Sequence, residues 1–567
     1  MIQHRGPISG VAAHKDTFVA TAGYDNQVIL WRADDKTPLA RATHDHLANQ
    51  VVFSPDGRHL LTSSSDYTAR LWSVPDLKLL AVFSDHDDDV EMAVFHPTEP
   101  LVATASRDHR VRVYGFDGRL RHVFAGHTAD VISVAWSHPG PGGSEAELVS
   151  SSDDGTIRRW SPATGGPVGE IDLGGVETDT VALAADGTTY AGNDEGQIIV
   201  IDEHGTHLHP AHEAGIKRLV LQSANGLLVS LSYDRTMRVW DTADGLRPIA
   251  SAALPSEVWP RSCAFLGDST LVFATFGSSY ATYRIDQESW DLQGVEPTGG
   301  VNAVIQRGGA TLAIGDAGIL REDGQERTRL GSLCNFLVQV GERVLTGGQM
   351  GVLFDALTGE ALHQHRSPLN CGAAFTREGR PHVVIGAYTG EGLVFSLDDD
   401  GKLVFERTLP LHANAVKDVA VFDDVIFSVC ADTGAAWFST ADFTETARLD
   451  AAHDRIANGC AALGPGCFAS ISRDLRLRIW TGTSARTLTT PHDHSVKCVA
   501  ASSDGRLIAT AAYNGLVAVY DRDSDRWPVV VRPTTAGISC LHFDADRRRW
   551  LAGSYDGSVY EIPVATG

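Results

Sequence analysis

An Asp followed six residues later by an aromatic residue recurs along this chain, and no other feature limits the fold as tightly. Asp25-Asn-Gln-Val-Ile-Leu-Trp31 aligns with Asp66 to Trp72, Asp108 to Tyr114 and Asp154 to Trp160. The pattern returns at Asp234 to Trp240, Asp432 to Phe438, Asp474 to Trp480 and Asn514 to Tyr520. Fainter copies run from Asp194 to Val200, Ser279 to Ile285, Asp316 to Glu322, Gly348 to Phe354, Thr389 to Phe395 and Asp556 to Ile562. Each copy reads as an acidic turn leading into a short strand. Fourteen units in 567 residues give about 40 residues apiece, the period of a four-stranded propeller blade.

Two further positions keep register with the Asp. Four residues before it stands Ser or Thr, as at Thr104, Ser428 and Thr510, and about twenty residues before it stands His, as at His86, His412 and His492. Five units carry all four residue types: His4, Thr21, Asp25 and Trp31; His44, Thr62, Asp66 and Trp72; His127, Ser150, Asp154 and Trp160; His212, Ser230, Asp234 and Trp240; His453, Ser470, Asp474 and Trp480. Units 3, 11 and 13 replace the Trp by Tyr or Phe. With the dipeptides Gly126-His127 and Trp240-Asp241, the chain resembles the WD-repeat β-propeller family over essentially its whole length. The resemblance implies that the His, Ser/Thr, Asp and Trp of each blade form a buried hydrogen-bonded tetrad. The chemistry is self-consistent: a His donor meets an Asp acceptor, and a hydroxyl satisfies the indole N–H.

Propellers hold about 4–8 blades per ring, so fourteen units predict an all-β chain of two tandem seven-bladed propellers with four-stranded antiparallel blades. The expected domains are 1–290 for blades 1 to 7 and 291–567 for blades 8 to 14, because units 7 to 10 keep almost none of the tetrad. His4 already stands at the inner strand of unit 1, and Tyr560-Glu561-Ile562 falls on the third strand of unit 14. The expected count is therefore 55 strands rather than 56, with the last blade three-stranded.

Composition narrows the function. Against 47 Lys and Arg stand 71 Asp and Glu, a formal −24; phosphate neutralisation needs clustered cations, so nucleic acid and anionic membrane are not expected as partners. The first residues show no secretory signal and no 18-residue apolar run exists, which points to the cytoplasm. The eight cysteines, at 263, 334, 371, 430, 460, 467, 498 and 540, include no CxxC pair, so neither a disulfide framework nor a zinc site is expected.

Candidate chemistry is thin. Eight of the 23 histidines are in tetrad register, and they and their Asp partners read as fold residues. Asp85-His86-Asp87-Asp88-Asp89 reads as a solvated acidic loop or a patch for a basic partner. Asp398-Asp399-Asp400-Gly401, Ser54-Pro55-Asp56-Gly57 and Ser503-Asp504-Gly505 read as hairpin turns. There is no P-loop, GxGxxG, GxSxG or HExxH. No catalytic, cofactor or metal residue is expected.

One set of residues exceeds a structural role. The position before the turn Asp is Tyr24, Arg107, Tyr233, Tyr388, Arg473, Tyr513 or Tyr555 in seven units, with Asp153 and Asn193 in two others. Tyr and Arg are enriched at interface hot spots, and the resemblance implies that this position lies on the ring mouth. The expected function is a non-catalytic scaffold that binds proteins or peptides and assembles or regulates a complex. The alternatives are a small-ligand sensor or enzyme using a propeller tunnel, and a protein similar to the double-propeller actin-interacting proteins.

Overall fold

The computed structural model describes residues 2–138, 146–243 and 245–564. Among them the chain forms 55 strands and no helix. Thirteen sheets have four antiparallel strands and one has three, and each is built from strands consecutive in sequence. Blades 1 to 7 occupy 8–43, 48–83, 90–125, 131–172, 178–210, 216–253 and 258–291. Blades 8 to 14 occupy 301–329, 338–364, 369–410, 416–449, 457–489, 496–531 and 538–563. The three-stranded sheet is blade 14.

The residue after each turn Asp explains how one hairpin serves so many blades. Asn26, Tyr67, His109, Arg235 and Leu475 all take the left-handed backbone region, with φ of 66°, 66°, 66°, 66° and 62°. Blade 13 places Gly515 there, where a Cβ would meet the Thr534 carbonyl oxygen at 2.0 Å; only glycine fits that approach. The turn reverses the chain into a third strand that is largely buried.

Each blade grades from a buried middle to an exposed rim. The second strand of blade 1, Phe18–Gly23, is buried along nearly its whole length, whereas the fourth, Pro38–Thr43, alternates towards solvent. Short continuous apolar runs between turn signals are the mark of strands covered on both faces. Neighbouring blades share their cores: Met92, Val113 and Phe124 of blade 3 pack with Val134, Leu148 and Trp160 of blade 4. Burying each such side chain contributes roughly 2 kcal/mol.

Two rings close separately. The inner strand of blade 1, Ile8–His14, packs on that of blade 2 and also on that of blade 7, Val258–Leu266. The inner strand of blade 8, Val301–Arg307, packs on that of blade 14, Ile538–Asp544. The chain divides into two compact units, 1–297 and 298–567. The fold is two seven-bladed propellers. Blades 7 to 10, whose tetrads have faded from the sequence, are complete four-stranded sheets.

The acidic run at 85–89 differs from its expected solvated state. Asp87 is exposed, but Asp88 and Asp89 are buried, and the Asp88 carbonyl accepts the Ser106 hydroxyl at 3.2 Å.

Candidate functional site

The tetrads assemble in blades 1, 2, 4 and 6 with nearly constant geometry. His Nδ1 lies 2.9, 2.8, 2.9 and 2.9 Å from Asp25, Asp66, Asp154 and Asp234. Nε2 lies 2.7, 2.7, 2.8 and 2.7 Å from the hydroxyls of Thr21, Thr62, Ser150 and Ser230. Those hydroxyls accept the indole N–H of Trp31, Trp72, Trp160 and Trp240 at 2.8, 2.9, 2.8 and 2.9 Å. A neutral imidazole protonated on Nδ1 satisfies every group: it donates to the carboxylate, and the hydroxyl donates to Nε2 while accepting from Trp. Burial opposes the Asp234 charge, yet the imidazole of His212, the Thr236 hydroxyl and the Glu213 amide bring its carboxyl down to about 2.

Blade 12 keeps the residues and changes the wiring. His453 Nε2 and Trp480 Nε1 lie 2.8 and 2.7 Å from Ser470 Oγ, but Nδ1 stands 3.8 Å from Asp474. Arg478 enters the gap, donating to His453 Nδ1 at 2.9 Å and to Asp474 at 2.6 Å. A guanidinium has no acceptor, so the proton of His453 sits on Nε2 instead. In blade 13, Asn514 turns away to donate to Asp493 at 2.7 Å, and His492 Nδ1 is buried without a hydrogen bond. Burial pushes the His492 imidazole down to about 4.

Of the residues before the turn Asp, on the turn side of their rings, Tyr24, Arg107, Asp153, Tyr233, Tyr388, Arg473, Tyr513 and Tyr555 are half-buried and Asn193 is buried. Tyr24 meets Trp259 edge-on at 5.2 Å between ring centroids. Arg107 is engaged inside ring 1: its guanidinium pairs with Glu91 at 2.5 Å and with Asp130 of the next blade. Lys217 lies over Tyr233 at 5.2 Å, Lys417 over Tyr388 at 5.5 Å and Lys497 over Tyr513 at 5.9 Å. Tyr513 and Tyr555, from adjoining blades, stack at 6.3 Å with an interplanar angle of 9°. The Arg473 amide donates to the Ile456 carbonyl at 3.0 Å. Burial, together with Glu177, Asp130 and Asp179, raises Asp153 well above the usual carboxylate range.

Sequence reasoning missed a residue at the start of the inner strands, the second of the strand in most of these blades and, in blade 9, Asn335, three residues before Val338–Val340. Asn49, Asn302, Asn335, Asn370 and Asn458 donate side-chain N–H bonds of 2.8–3.1 Å to the carbonyls of Val90, Cys334, Leu369, Val416 and Val496 on the next blade. Ser9 does the same to Ala48 at 2.5 Å, and Ser539 to Val301. An Asn or Ser at the start of successive inner strands was the available signal. Also missed was Arg261, which pairs with Glu91 at 3.1 Å. Blades 3 and 7 are not neighbours, so this ion pair crosses the channel of ring 1.

Six segments match the family model described as WD domain, G-beta repeat: residues 38–73, 77–115, 118–161, 205–241, 482–521 and 529–560. The chain is a WD-repeat protein. The same WD-repeat chain is similar to Transcriptional corepressor LEUNIG_HOMOLOG of Arabidopsis thaliana, 24% identical over 271 residues, 39% of this chain and 33% of that protein. It is similar to Transcription initiation factor TFIID subunit 5 of Caenorhabditis elegans, 28% identical over 206 residues, 35% of this chain and 31% of that protein. It thus spans about a third of the length of these two relatives. A third, Target of rapamycin complex subunit wat1 of Schizosaccharomyces pombe, is 26% identical over 240 residues, 40% of this chain and 74% of that protein. None of these three names denotes an enzyme. Two of the three name a subunit.

Proposed function

We propose that this WD-repeat protein is a non-catalytic scaffold that assembles or regulates a protein complex through its propeller faces. The observation that carries the reading is the stacked pair Tyr513 and Tyr555 with Lys497 over the Tyr513 side chain. Two rigid aromatic side chains and a cation on adjoining blades suit recognition of a peptide or loop from another protein. Tyr24, Arg107, Tyr233, Tyr388 and Arg473 belong to the same proposal as contact residues. Arg107 acts there through the buried Glu91 and the half-buried Asp130 that hold it.

A tunnel sensor or tunnel enzyme is less well supported. The Arg261 to Glu91 ion pair crosses the ring 1 channel, and Arg218 reaches over it to Met92 Sδ at 3.9 Å. A cytoplasmic location and the absence of nucleic-acid and membrane partners form part of the proposal. The formal charge of −24 supports them, and no helix among the described residues is long and apolar enough to cross a membrane.

The test uses the intact chain as bait in a lysate of its own organism, beside a Tyr513→Ala/Tyr555→Ala variant that still melts cooperatively. Proteins held by the wild type and lost by the variant support the scaffold and this face. Equal recovery by both removes the face, and no specific recovery by either sinks the scaffold reading.

A further inference from the structure

Blade 11 breaks the tetrad in a way that gathers three metal-ligating groups. His412 Nε2 keeps its hydroxyl partner, Ser428 Oγ, at 3.0 Å. Its Nδ1 stands 4.0 Å from Asp432 Oδ1, whereas blades 1, 2, 4 and 6 close the same gap to 2.8–2.9 Å. Other blades also fill this space with side chains. Thr156 and Thr236 bring hydroxyls to His127 Nδ1 and His212 Nδ1 at 3.2 and 3.0 Å, and Arg478 bridges the pair in blade 12. At those two registers blade 11 has Gly434 and Ala436, which have no polar side chain to bring to His412; the Gly434 amide donates to Asp432 Oδ1 at 2.8 Å.

Into the same space points a thiol. Two residues before the turn Asp, six blades carry Ser64, Ser106, Ser152, Ser232, Ser472 and Ser554, each accepting the amide N–H of that Asp at 3.0–3.2 Å. Blade 11 carries Cys430. Among the described residues, His412, Cys430 and Asp432 are the one group whose ligand atoms, an imidazole nitrogen, Sγ and a carboxylate oxygen, all lie within 4.8 Å of one another. Zinc bonds of about 2.0–2.3 Å set such atoms about 3.3–3.6 Å apart, so small side-chain rotations close the site.

We propose that His412, Cys430 and Asp432 bind a borderline divalent transition-metal ion, zinc foremost, with a water in the fourth position. One nitrogen, one sulfur and one carboxylate oxygen are a ligand set for zinc rather than for calcium or magnesium, which select oxygen. Cys430 binds as thiolate, releasing its proton to solvent as the metal–sulfur bond forms. Ser428 at Nε2 is the outer partner that orients a ligating imidazole. His412 and Cys430 are buried, and Asp432, with 31% of its side chain exposed, forms the solvent rim. The ion takes over what the His–Asp hydrogen bond does elsewhere: it ties the loop before the inner strand to the turn after the second strand.

The experiment strips the reduced full-length chain with a chelator and titrates it with Co²⁺ alone, then displaces cobalt with Zn²⁺. The wild type is expected to take up one cobalt with a thiolate-to-cobalt charge-transfer band, and to melt at higher temperature with zinc. Cys430→Ser installs the residue six other blades already hold, so folding is retained; it is expected to lose the band and at least about 10-fold in affinity. Cys371→Ser, at a second buried cysteine of the same ring, is expected to keep both. Asp432→Asn is expected to keep the band and bind more weakly. A band that survives in Cys430→Ser, or a wild type that takes up no cobalt, overturns the proposal.

Discussion

The backbone N–H of Val11 donates to the hydroxyl of Ser262 at 3.1 Å, joining residues 251 apart in sequence. The same hydroxyl accepts from Gln50 Nε2 at 3.2 Å, so one serine of blade 7 serves blades 1 and 2 where ring 1 closes. Ser262→Ala leaves both donors buried without that partner. The expected loss is about 1–3 kcal/mol, read as a lower urea midpoint. An unchanged midpoint would mean that the closure does not depend on this serine.

The Thr62 hydroxyl accepts the Trp72 indole N–H and donates to His44 Nε2. Thr62→Val keeps the shape and removes the hydroxyl. The expected cost is about 2–4 kcal/mol, because an indole N–H and an imidazole nitrogen are then desolvated without partners. Chemical denaturation checks it, and a cost under about 0.5 kcal/mol would show that the tetrad adds little beyond packing.

Asn514→Asp is expected to rebuild the tetrad of blade 13. Blade 2 shows that Asp45 beside His44 is compatible with an Asp at the turn, since Asp66 accepts both the His44 imidazole and the Asp45 amide. In the wild type, His492 has its folded value pushed to about 4 from an ordinary 6.5. The unfolded chain therefore binds the extra proton, and stability falls as pH drops from about 6.5 to about 4. The variant gives His492 a carboxylate partner and raises its value. Its melting temperature should fall less than that of the wild type across this window.

Asp234 shows the complementary acid limb. Its folded value of about 2 lies below the ordinary 3.8, so its contribution is complete above about pH 4 and is lost as pH falls towards about 2. Asp234→Asn should be less stable than the wild type at about pH 5, and the difference should shrink on acidification to about pH 2. Melting both proteins across that range measures it. A difference that stays constant with pH would assign the effect to shape instead of charge.

The repeat was legible because the His, the hydroxyl, the Asp and the Trp each mark one register by identity alone. What depended on competition between neighbours was not. Arg70 stands four residues after Asp66, as Arg478 does after Asp474. Arg70 binds Asp66 at 2.9 Å while His44 keeps its own bond at 2.8 Å, but Arg478 displaces His453. No spacing distinguishes the two. Blade 10 hides its acceptor by a shift of register: Thr389 stands where Asp is expected, and Glu391, two residues on, takes the Thr389 hydroxyl at 2.5 Å and lies 3.1 Å from His365. The inter-blade Asn and Ser bonds rest on single residues, too short a signal to find before the strands are placed. The Tyr and Arg positions were readable as a shared register, but the ion pairs that hold Arg107 join blades 3 and 4 and became visible only once the ring was assembled.

Because every blade is made of strands consecutive in sequence, no sheet ladder crosses from one blade to the next. Each propeller is thus a split washer: prying blade 7 from blade 1 strips side-chain packing and a few bonds such as that of His4 N–H to the Ser278 carbonyl, yet leaves all seven sheets whole. Breathing at that slit needs less free energy than fraying any blade from within. Slow amide exchange will therefore mark the middle strands, and the first amides to open will be those flanking the slit.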